Sequence, residues 1–532
     1  MKKFFSLVIC AVLLFSITSL TSCKKEKKLT LNVYNWEDYI ACDENVYDMV
    51  SEFELWHKKT YGEEIVVNYS TFGTNENMYN ELKLTQKKDG SYSYDLVCPS
   101  EYMIQKMIKE DMLLTYDYSA LENYELNIAP YIETLFKSNG WYDYATCYNW
   151  GTMGFTYNPE KVALADVSSW AVVNDKKYKN TITIKDSVRD SYVLALGYVN
   201  GQKLLNLQAN YDLLSKEYNV EVGKLLNDFS DETIESARLF LSETRQNLYG
   251  FEVDSGKQDM ATGKLLINFA WSGDAVYAMD FAEEKETYLE YVVPKEGSNI
   301  FFDGWVMPKG ADKVHAQRFL NFMYREDNAI ENLDYICYSS PMVGEDVYEY
   351  VCLNYGLTTL IESQNGNDED LIKVGEKYYK EVPLSKDPNF NGQSTYSLTY
   401  YDEKTDSLVT DDPIEIYAHS VKHFFGDKIE GDGIIYTDSL SRQLVAMYPT
   451  QETMNRCVVM EHVETDTLKK LNNMWDSVKV GYMPYSTMLI IIIVAVVVLG
   501  VVITLIVLKK KGLTIQLPKR NLGKLIKSEK IK

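Results

Sequence analysis

Acidic side chains and aromatic rings occur together at four places in the chain, each shortly after a predicted β-strand. The four segments are Trp36-Glu37-Asp38-Tyr39, Ser100-Glu101-Tyr102, Trp271-Ser272-Gly273-Asp274 and Phe301-Phe302-Asp303. Carboxylates pair with ammonium groups, and ring faces attract cations and cover methylene chains. A single tryptophan or tyrosine is more often part of a core. The repeated pairing of ring and acid, however, favours a binding site for an aliphatic amine with two positive ends.

These segments belong to a chain in which strands and helices alternate. Alternating or continuous apolar runs predict strands at 28–34, 64–69, 94–98, 264–271 and 290–294. Helical spacing of apolar residues predicts helices at 45–58, 75–85, 102–110 and 314–324. Successive strand–helix units are typical of a mostly parallel sheet with helices on both faces. In such a sheet, ligands bind beyond the carboxyl ends of the strands, which is where the acids and rings occur.

Both ends of the chain have membrane signals. Residues 1–22 combine a basic start, a short apolar core and small residues before Cys23, which predicts a lipoprotein signal peptide and lipidation of Cys23. The apolar run 488–508 is long enough to span a bilayer core of about 30 Å. Lysines at the start of the basic tail 509–532 predict that this tail stays in the cytoplasm. The body between the signals is therefore expected on the extracytoplasmic side of the cell membrane.

The charge of the chain restricts its partners. The chain has 54 Lys and Arg residues against 77 Asp and Glu residues, a net charge of −23, although both of its ends are basic. An acidic body argues against binding to nucleic acid or anionic lipid, and it is compatible with a cationic partner.

Neither a metal site nor a catalytic motif is recognisable in the sequence. The cysteines and the five histidines are dispersed, without CxxC or HExxH spacing, and GxSxG and P-loop sequences are absent. Acid pairs beside tryptophans would also suit a glycoside hydrolase, in which two acids flank the bond and rings stack on sugars. That enzyme class is the alternative to a binding protein. The favoured interpretation is a protein that is not an enzyme and needs no metal or organic cofactor.

Several segments resemble the bacterial polyamine-binding proteins of ABC importers. The similar segments are LNVYNWEDYI at 31–40, NENM at 75–78, YDLVCPSEY at 94–102, YNWGT at 148–152, VPKEG at 293–297 and FFD at 301–303. The similarity is collinear from about residue 29 to 341 and resumes weakly near 440–478. Together these motifs identify the chain as a member of the family of polyamine (spermidine and putrescine) substrate-binding proteins.

The resemblance implies an α/β fold of the two-lobed, periplasmic-binding-protein-like type II class, in which a hinge lets the lobes close over a ligand. The implied domains are a signal peptide (1–22), lobe 1 (29–150), lobe 2 (151–301), a return to lobe 1 (302–343), an inserted acidic subdomain (344–437), C-terminal helices on lobe 2 (438–480), a transmembrane helix (488–508) and the tail (509–532). The family typically lacks the insertion, and the sequence does not indicate its function.

The resemblance also implies roles for individual residues. The implied ligand-binding set is Trp36, Glu37, Asp38, Tyr39, Ser100, Tyr102, Asp190, Trp271, Asp274, Phe301, Asp303 and Tyr338. Within this set, Asp303 is the main ammonium partner, and Asp274 or Asp190 supplies a second carboxylate. Trp36 and Tyr39 form part of an aromatic box.

The same resemblance implies a function and partners. The protein would be an extracytoplasmic polyamine receptor that delivers its ligand to an ABC permease and ATPase. Ser187 stands where spermidine binders have an aspartate, and Phe301 where some of them have a tryptophan. Both departures favour putrescine over spermidine. Another small solute on the same fold, or a role as adhesin or signalling receptor, are the remaining alternatives.

Overall fold

The structure, a computed structural model, describes residues 29–43, 45–363, 371–439 and 441–480. The predicted signal peptide, Cys23, the apolar run 488–508 and the basic tail lie outside these residues. In the described part of the chain, no helix combines the length and apolar character needed to cross a membrane. Residues up to Trp475 belong to one compact unit, and Asp476–Lys532 form a second, of which only 476–480 are described.

The first part of the body alternates strands and helices as predicted. Its elements are β1 (Leu29–Trp36), β2 (Cys42–Asp43), β3 (Tyr47–Asp48), α1 (Met49–Tyr61), β4 (Ile65–Phe72), α2 (Asn75–Thr85), β5 (Leu96–Val97), α3 (Glu101–Lys109), α4 (Glu122–Asn127) and α5 (Pro130–Ser138). Helix α1 begins four residues later than predicted because Asp48 caps it, accepting a hydrogen bond from the Ser51 amide. It ends at Gly62, whose φ of 71° suits glycine.

The middle of the chain contains the long strands and the helices that surround them. Its elements are β6 (Ala145–Tyr157), α6 (Leu164–Val167), β7 (Ile182–Lys185), α7 (Val188–Val199), α8 (Gly201–Asn210), α9 (Lys216–Leu226), α10 (Asp231–Thr244), β8 (Gly250–Glu252), α11 (Ser255–Ala261), β9 (Ile267–Trp271), α12 (Ser272–Glu283), β10 (Glu290–Val292), β11 (Ser298–Val306), α13 (Lys313–Met323) and α14 (Glu326–Ile336). The predicted strands at 264–271 and 290–294 and the helix at 314–324 are confirmed with shifts at their ends.

One sheet connects these elements in the strand order β4-β1-β5-β11-β6-β9-β7-β8. The groups β4-β1-β5 and β9-β7-β8 are parallel, as the alternating pattern predicts. Between them, β6 and β11 run antiparallel to each other; β11 is also antiparallel to β5, and β6 to β9. All 13 residues of β6 are buried; its first half pairs with β11, and its second half pairs with β9 and β10. These two strands therefore join the two parallel groups.

The described residues of 344–437 form two α-helices and several small antiparallel sheets. The elements are α15 (Glu345–Tyr355), β12 (Thr358–Ser363), β13 (Ile372–Val374), β14 (Lys377–Pro383), β15 (Thr395–Tyr396), β16 (Thr399–Asp402), β17 (Ser407–Thr410), β18 (Ile414–Glu415), β19 (Tyr417–Ser420), α16 (Lys422–Phe425) and β20 (Ile434–Thr437). Phe424 of α16 stacks on the core residue Trp150, with ring centres 4.5 Å apart, so this segment packs against the main sheet.

The last described residues, 441–480, contain α17 (Arg442–Met447), α18 (Gln451–Asn455), β21 (Cys457–Val458) and α19 (Thr465–Val480). After β21 the chain passes between helices α3 and α9. Gln105 of α3 bonds to the backbone at Met460 and His462. On the other side, Asn227 at the end of α9 bonds to the backbone at Val459 and Glu461. This stretch therefore ties α3 to α9.

Candidate functional site

Asp303 of β11 is a buried carboxylate, with 6 % of its surface exposed. Its two oxygens accept hydrogen bonds from the hydroxyls of Tyr39 at 2.8 Å and Ser100 at 2.7 Å. The pairing of β11 with β6 shifts in register directly after Asp303, and Ser100 forms an isolated bridge with it. Within the described part of the chain, Asp303 has hydroxyl partners and no ion pair with a lysine, arginine or histidine.

The electrostatics of Asp303 are those of an uncompensated acid. Burial raises the pKa of Asp303 to about 6; the hydrogen bonds from Ser100 and Tyr39 lower it, and the charge of Asp190 raises it. Removing a carboxylate from water without a counter-ion is unfavourable, which is why the pKa rises. The position therefore suits a cation that the described part of the protein does not supply.

Asp190 is a second buried acid with a raised pKa. It lies in the first turn of α7, where Ser187 caps the helix, and 7 % of its surface is exposed. Burial raises the pKa of Asp190 to about 6, against the lowering effects of the Ser187 hydroxyl and of the charges on Lys185 and Arg189. The charge of Asp190 also acts on Asp303 and raises its pKa, so the two predicted acids influence each other electrostatically.

Aromatic rings surround Asp303. The ring of Tyr39 meets those of Tyr148 and Tyr338 edge to face, with centres 5.5 Å and 4.9 Å apart. The ring of Tyr338 in turn lies 6.3 Å from that of Phe301. The structure thus brings three predicted rings, Tyr39, Tyr338 and Phe301, together beside the predicted acid. Ring faces and edges of this kind can enclose a methylene chain.

The N-terminus of α3 contributes Ser100 and Tyr102. Asn75 holds both, because its side-chain amide donates to Ser100 Oγ and to the Tyr102 hydroxyl oxygen, each at 3.0 Å. The guanidinium of Arg189 lies 4.8 Å from the centre of the Tyr102 ring, so α7 touches α3 across the site. Arg189 is itself buried and donates to the backbone oxygen of Glu461.

Glu101 was not predicted as a site residue, although it lies between two residues that were. It is fully buried, and one carboxylate oxygen accepts from the Phe302 amide at 3.1 Å. The other oxygen has no partner in the described part of the chain. Burial raises the pKa of Glu101 to about 8, with Asp303 among the charges that raise it. An acid inside an otherwise apolar helix face, directly after Ser100, was the available signal.

Asp274 and Trp271 were predicted to meet the ligand, but the structure places a protein cation between them. The ammonium of Lys185 forms ion pairs with Asp274 at 3.0 Å and with Glu252 at 3.1 Å. It also lies 4.1 Å from the centre of the Trp271 ring. Lys185 and Glu252 were missed because local spacing does not reveal pairing between residues far apart in sequence. Their positions at the carboxyl ends of β7 and β8 were the only signal.

The predicted site residues at the end of β1 differ in their exposure to solvent. Trp36 is half-buried and packs on Phe72, with ring centres 4.6 Å apart, and its indole N–H has no partner among the described residues. Glu37 and Asp38 are exposed, and Asp38 has a left-handed φ of 49°. The structure therefore leaves Glu37 and Asp38 in solvent, away from the buried acids. The buried indole N–H of Trp36 could donate a hydrogen bond to a ligand.

Among the described residues, one group of side chains has ligand atoms close enough to hold a metal ion, namely His57, Glu63 and His315. Arg318 already contacts two of these groups, because one guanidinium nitrogen lies 3.1 Å from His57 Nε2 and 3.0 Å from Glu63 Oε2. A cation at this position would face the positive charge of Arg318. This donor set therefore does not suit a metal ion.

Comparison with known proteins relates this geometry to a family. A family model described as bacterial extracellular solute-binding protein matches residues 48–343. The chain is 29% identical over 366 residues to the spermidine/putrescine-binding periplasmic protein of Salmonella typhimurium, covering 67% of this chain and 92% of the relative. It is 28% identical over 369 residues to the putrescine-binding periplasmic protein PotF of Escherichia coli, covering 65% and 88%.

Two solved structures of related transport proteins have a similar fold. The crystal structure of the spermidine/putrescine ABC transporter substrate-binding protein PotD from Streptococcus pneumoniae matches with a TM-score of 0.50 and 25% sequence identity, covering 85% of this chain and 99% of that one. A spermidine/putrescine ABC transporter protein from Listeria monocytogenes matches with a TM-score of 0.52 at 23% identity, which indicates the same fold.

Proposed function

The chain belongs to the family of bacterial extracellular solute-binding proteins, and we propose that it is an extracytoplasmic receptor that binds a polyamine for an ABC importer. Its fold is the α/β fold of periplasmic binding proteins. Relatives named for spermidine and putrescine binding support this ligand class. As a member of this family, the protein binds a solute and is not an enzyme.

The observation that supports a cationic ligand most strongly is the state of Asp303. It is buried, the hydrogen bonds that its carboxylate accepts from the described residues come from hydroxyl groups, and its pKa is raised to about 6. A protein gains nothing in stability from such a residue, because the uncompensated charge is unfavourable in the free form. A ligand ammonium at this position would remove that penalty. An anionic or neutral solute would not.

We propose that the two ends of the ligand meet the two buried acids. One ammonium group would lie beside the Asp303 carboxylate, near the Tyr39 and Ser100 hydroxyls. The other ammonium group would lie towards Asp190. Tyr338 and Phe301 would cover the methylene chain between them, and Trp36 and Tyr102 would complete the enclosure. The closed surroundings exclude water and thereby strengthen both ionic contacts.

We also propose that the ligand enters when two lobes open about β6 and β11. These strands join the two parallel groups of the sheet, so a change in their twist would separate lobe 1 (29–150 and 302–343) from lobe 2 (151–301). The contact of Arg189 with Tyr102, and the stretch after β21 that bonds to both α3 and α9, would have to rearrange. Such hinge closure around ligands is common among periplasmic binding proteins.

The partners follow from the same proposal. The receptor would deliver its ligand to an ABC permease driven by a cytoplasmic ATPase. We propose that lipidation at Cys23 and a membrane helix at 488–508 hold the body beside that permease, with the tail 509–532 in the cytoplasm. The acidic body would meet amines by electrostatic attraction.

Calorimetric titration of the full chain, purified in a non-ionic detergent, tests the ligand class. At pH 8 we expect putrescine to bind with a dissociation constant of roughly 1 μM or below, about −8 kcal/mol. A neutral disaccharide serves as the control and should give no heat of binding. If the folded protein binds neither putrescine nor spermidine, the proposed function is wrong, and the fold serves another solute.

A further inference from the structure

The Lys185 ammonium lies in surroundings that have the chemistry expected for a bound amine. It is 3.0 Å from Asp274 Oδ2 and 3.1 Å from Glu252 Oε1, and it donates to the Val253 carbonyl oxygen at 2.7 Å. The same atom lies 4.1 Å from the centre of the Trp271 ring. Only 1% of the Lys185 side chain is exposed. Two carboxylates and one ring face thus enclose a cation that belongs to the protein.

This cluster is complete without a ligand. A lysine ammonium has three donor hydrogens, and Lys185 has three oxygen acceptors at hydrogen-bond distance. The second oxygen of Asp274 accepts from the Tyr338 hydroxyl at 2.9 Å. Glu252 accepts in addition from a backbone amide at 2.9 Å and from the Asn268 side chain at 3.0 Å. A ligand ammonium could therefore pair with Asp274 only by displacing Lys185.

The cation is also held in its charged form. Burial lowers the pKa of Lys185, but the charges of Asp274 and Glu252 outweigh burial, so that the pKa is raised overall. Asp303 differs from Asp274 in this respect. Both carboxylates are buried, but Asp303 has no cation partner in the described part of the chain. Of the two acid centres near the Tyr338 ring, one is already neutralised and one is not.

We infer that Lys185 is a specificity-determining residue, a tethered ammonium that fills one amine position of the site and so selects a diamine over a longer triamine. This inference rests on the proposed function. A diamine needs two acids, and Asp303 and Asp190 supply them. A triamine brings a third charge, and the two acids beside the Trp271 and Tyr338 rings, Asp274 and Glu252, are already paired with Lys185. The third ammonium of spermidine would then stay unpaired inside the site.

The first test is the selectivity of the unchanged full chain in detergent, measured by calorimetry at pH 8. We expect putrescine to bind at least about 10-fold more tightly than spermidine. Tighter binding of spermidine than of putrescine would overturn the inference while leaving the proposed function intact. Binding of neither amine would instead contradict the proposed function itself, so that the two failures are distinguishable.

The second test removes the Lys185 ammonium, so that the carboxylates paired with it become free to bind a ligand. In Lys185→Met, the spermidine-to-putrescine affinity ratio should increase at least about 10-fold, because Asp274 and Glu252 become available to the third amine. The double variant Lys185→Met/Glu252→Gln keeps the net charge of the cluster, since one positive and one negative charge are removed together. It leaves Asp274 bonded to Tyr338, and it should show the same shift even if the single variant does not fold.

Lys264→Met is the matched control. Lys264 is 45% exposed and pairs with Asp259, so its replacement removes one positive charge without opening an amine position. It should leave the affinity ratio unchanged. A purely structural role of Lys185 would lower the melting temperature of the variants and leave the ratio as in the unchanged chain, and that result would overturn the inference.

Discussion

Replacement of Asp303 by asparagine is expected to weaken putrescine binding at least about 100-fold. The variant keeps the size and shape of the side chain but removes the buried negative charge. Breaking a buried, hydrogen-bonded charge pair by removing one partner costs about 3 to 5 kcal/mol, and about 2.7 kcal/mol already corresponds to 100-fold. The measurement is the calorimetric dissociation constant of the full chain in detergent at pH 8.

The physical reason is that the hydrogen-bond partners of Asp303 carry no charge. Tyr39 and Ser100 donate hydroxyl hydrogens to it, and hydroxyls do not balance an ammonium charge. In the free protein, the same substitution should stabilise the fold, since it removes an uncompensated buried charge. A variant that melts at a higher temperature and yet fails to bind amines would therefore separate ligand binding from folding.

Asp387→Asn is the matched control for this prediction. Asp387 is also a buried aspartate, 5% exposed, and accepts a hydrogen bond from the Tyr396 hydroxyl, but it lies in the inserted segment. Its replacement should leave the dissociation constant for putrescine within about twofold. If Asp303→Asn and Asp387→Asn had the same small effect, Asp303 would not be the ammonium partner.

The affinity for putrescine should also fall steeply in mild acid. The pKa values of Asp303 and Asp190 are both raised to about 6 by burial, and each must be ionised to pair with an ammonium. The amines, with pKa values near that of lysine, about 10.4, stay charged over the same range. At pH 5 each acid is roughly ten parts in eleven protonated, so we expect the affinity to fall by roughly 100-fold between pH 8 and pH 5.

The sign of this effect follows from proton competition. The free site binds protons below about pH 6, and the ligand must displace them, so binding at pH 6 should release protons. Calorimetry in buffers of different ionisation enthalpy measures this release directly. Asp303→Asn removes one of the two titrating acids, and its weaker binding should vary with pH by only about 10-fold. A flat profile for the unchanged chain would show that these acids do not face the ligand.

The elements that alternate along the chain were predictable because their burial is periodic. Helix α2 spans the predicted residues 75–85, and β1 alternates around buried Leu31 and Val33. Strand β6, by contrast, is buried along its whole length. Its sequence therefore lacks the alternation of apolar and polar residues that predicts a strand. Its antiparallel pairing with β11 depends on contacts between residues far apart in the sequence, which local spacing does not reveal.

The site was predictable to the extent that it lies at strand and helix ends. Asp303 and Asp190 were predicted, and both are buried acids in the structure. Lys185 could not be predicted as the partner of Asp274, because the two residues are 89 positions apart and a lysine at a strand end is usually solvated. Glu37 and Asp38 share the loop with Trp36, but the turn at Asp38 leaves them exposed.

A crystal structure of the full chain with putrescine, grown at pH 8, tests the central claim most directly. The account predicts one ligand nitrogen about 3 Å from the Asp303 carboxylate, the ordinary length of a charged hydrogen bond. It also predicts the other nitrogen towards Asp190, with Lys185 still paired to Asp274 and Glu252. Putrescine bound away from Asp303, or bound to Asp274 with Lys185 displaced, would contradict it.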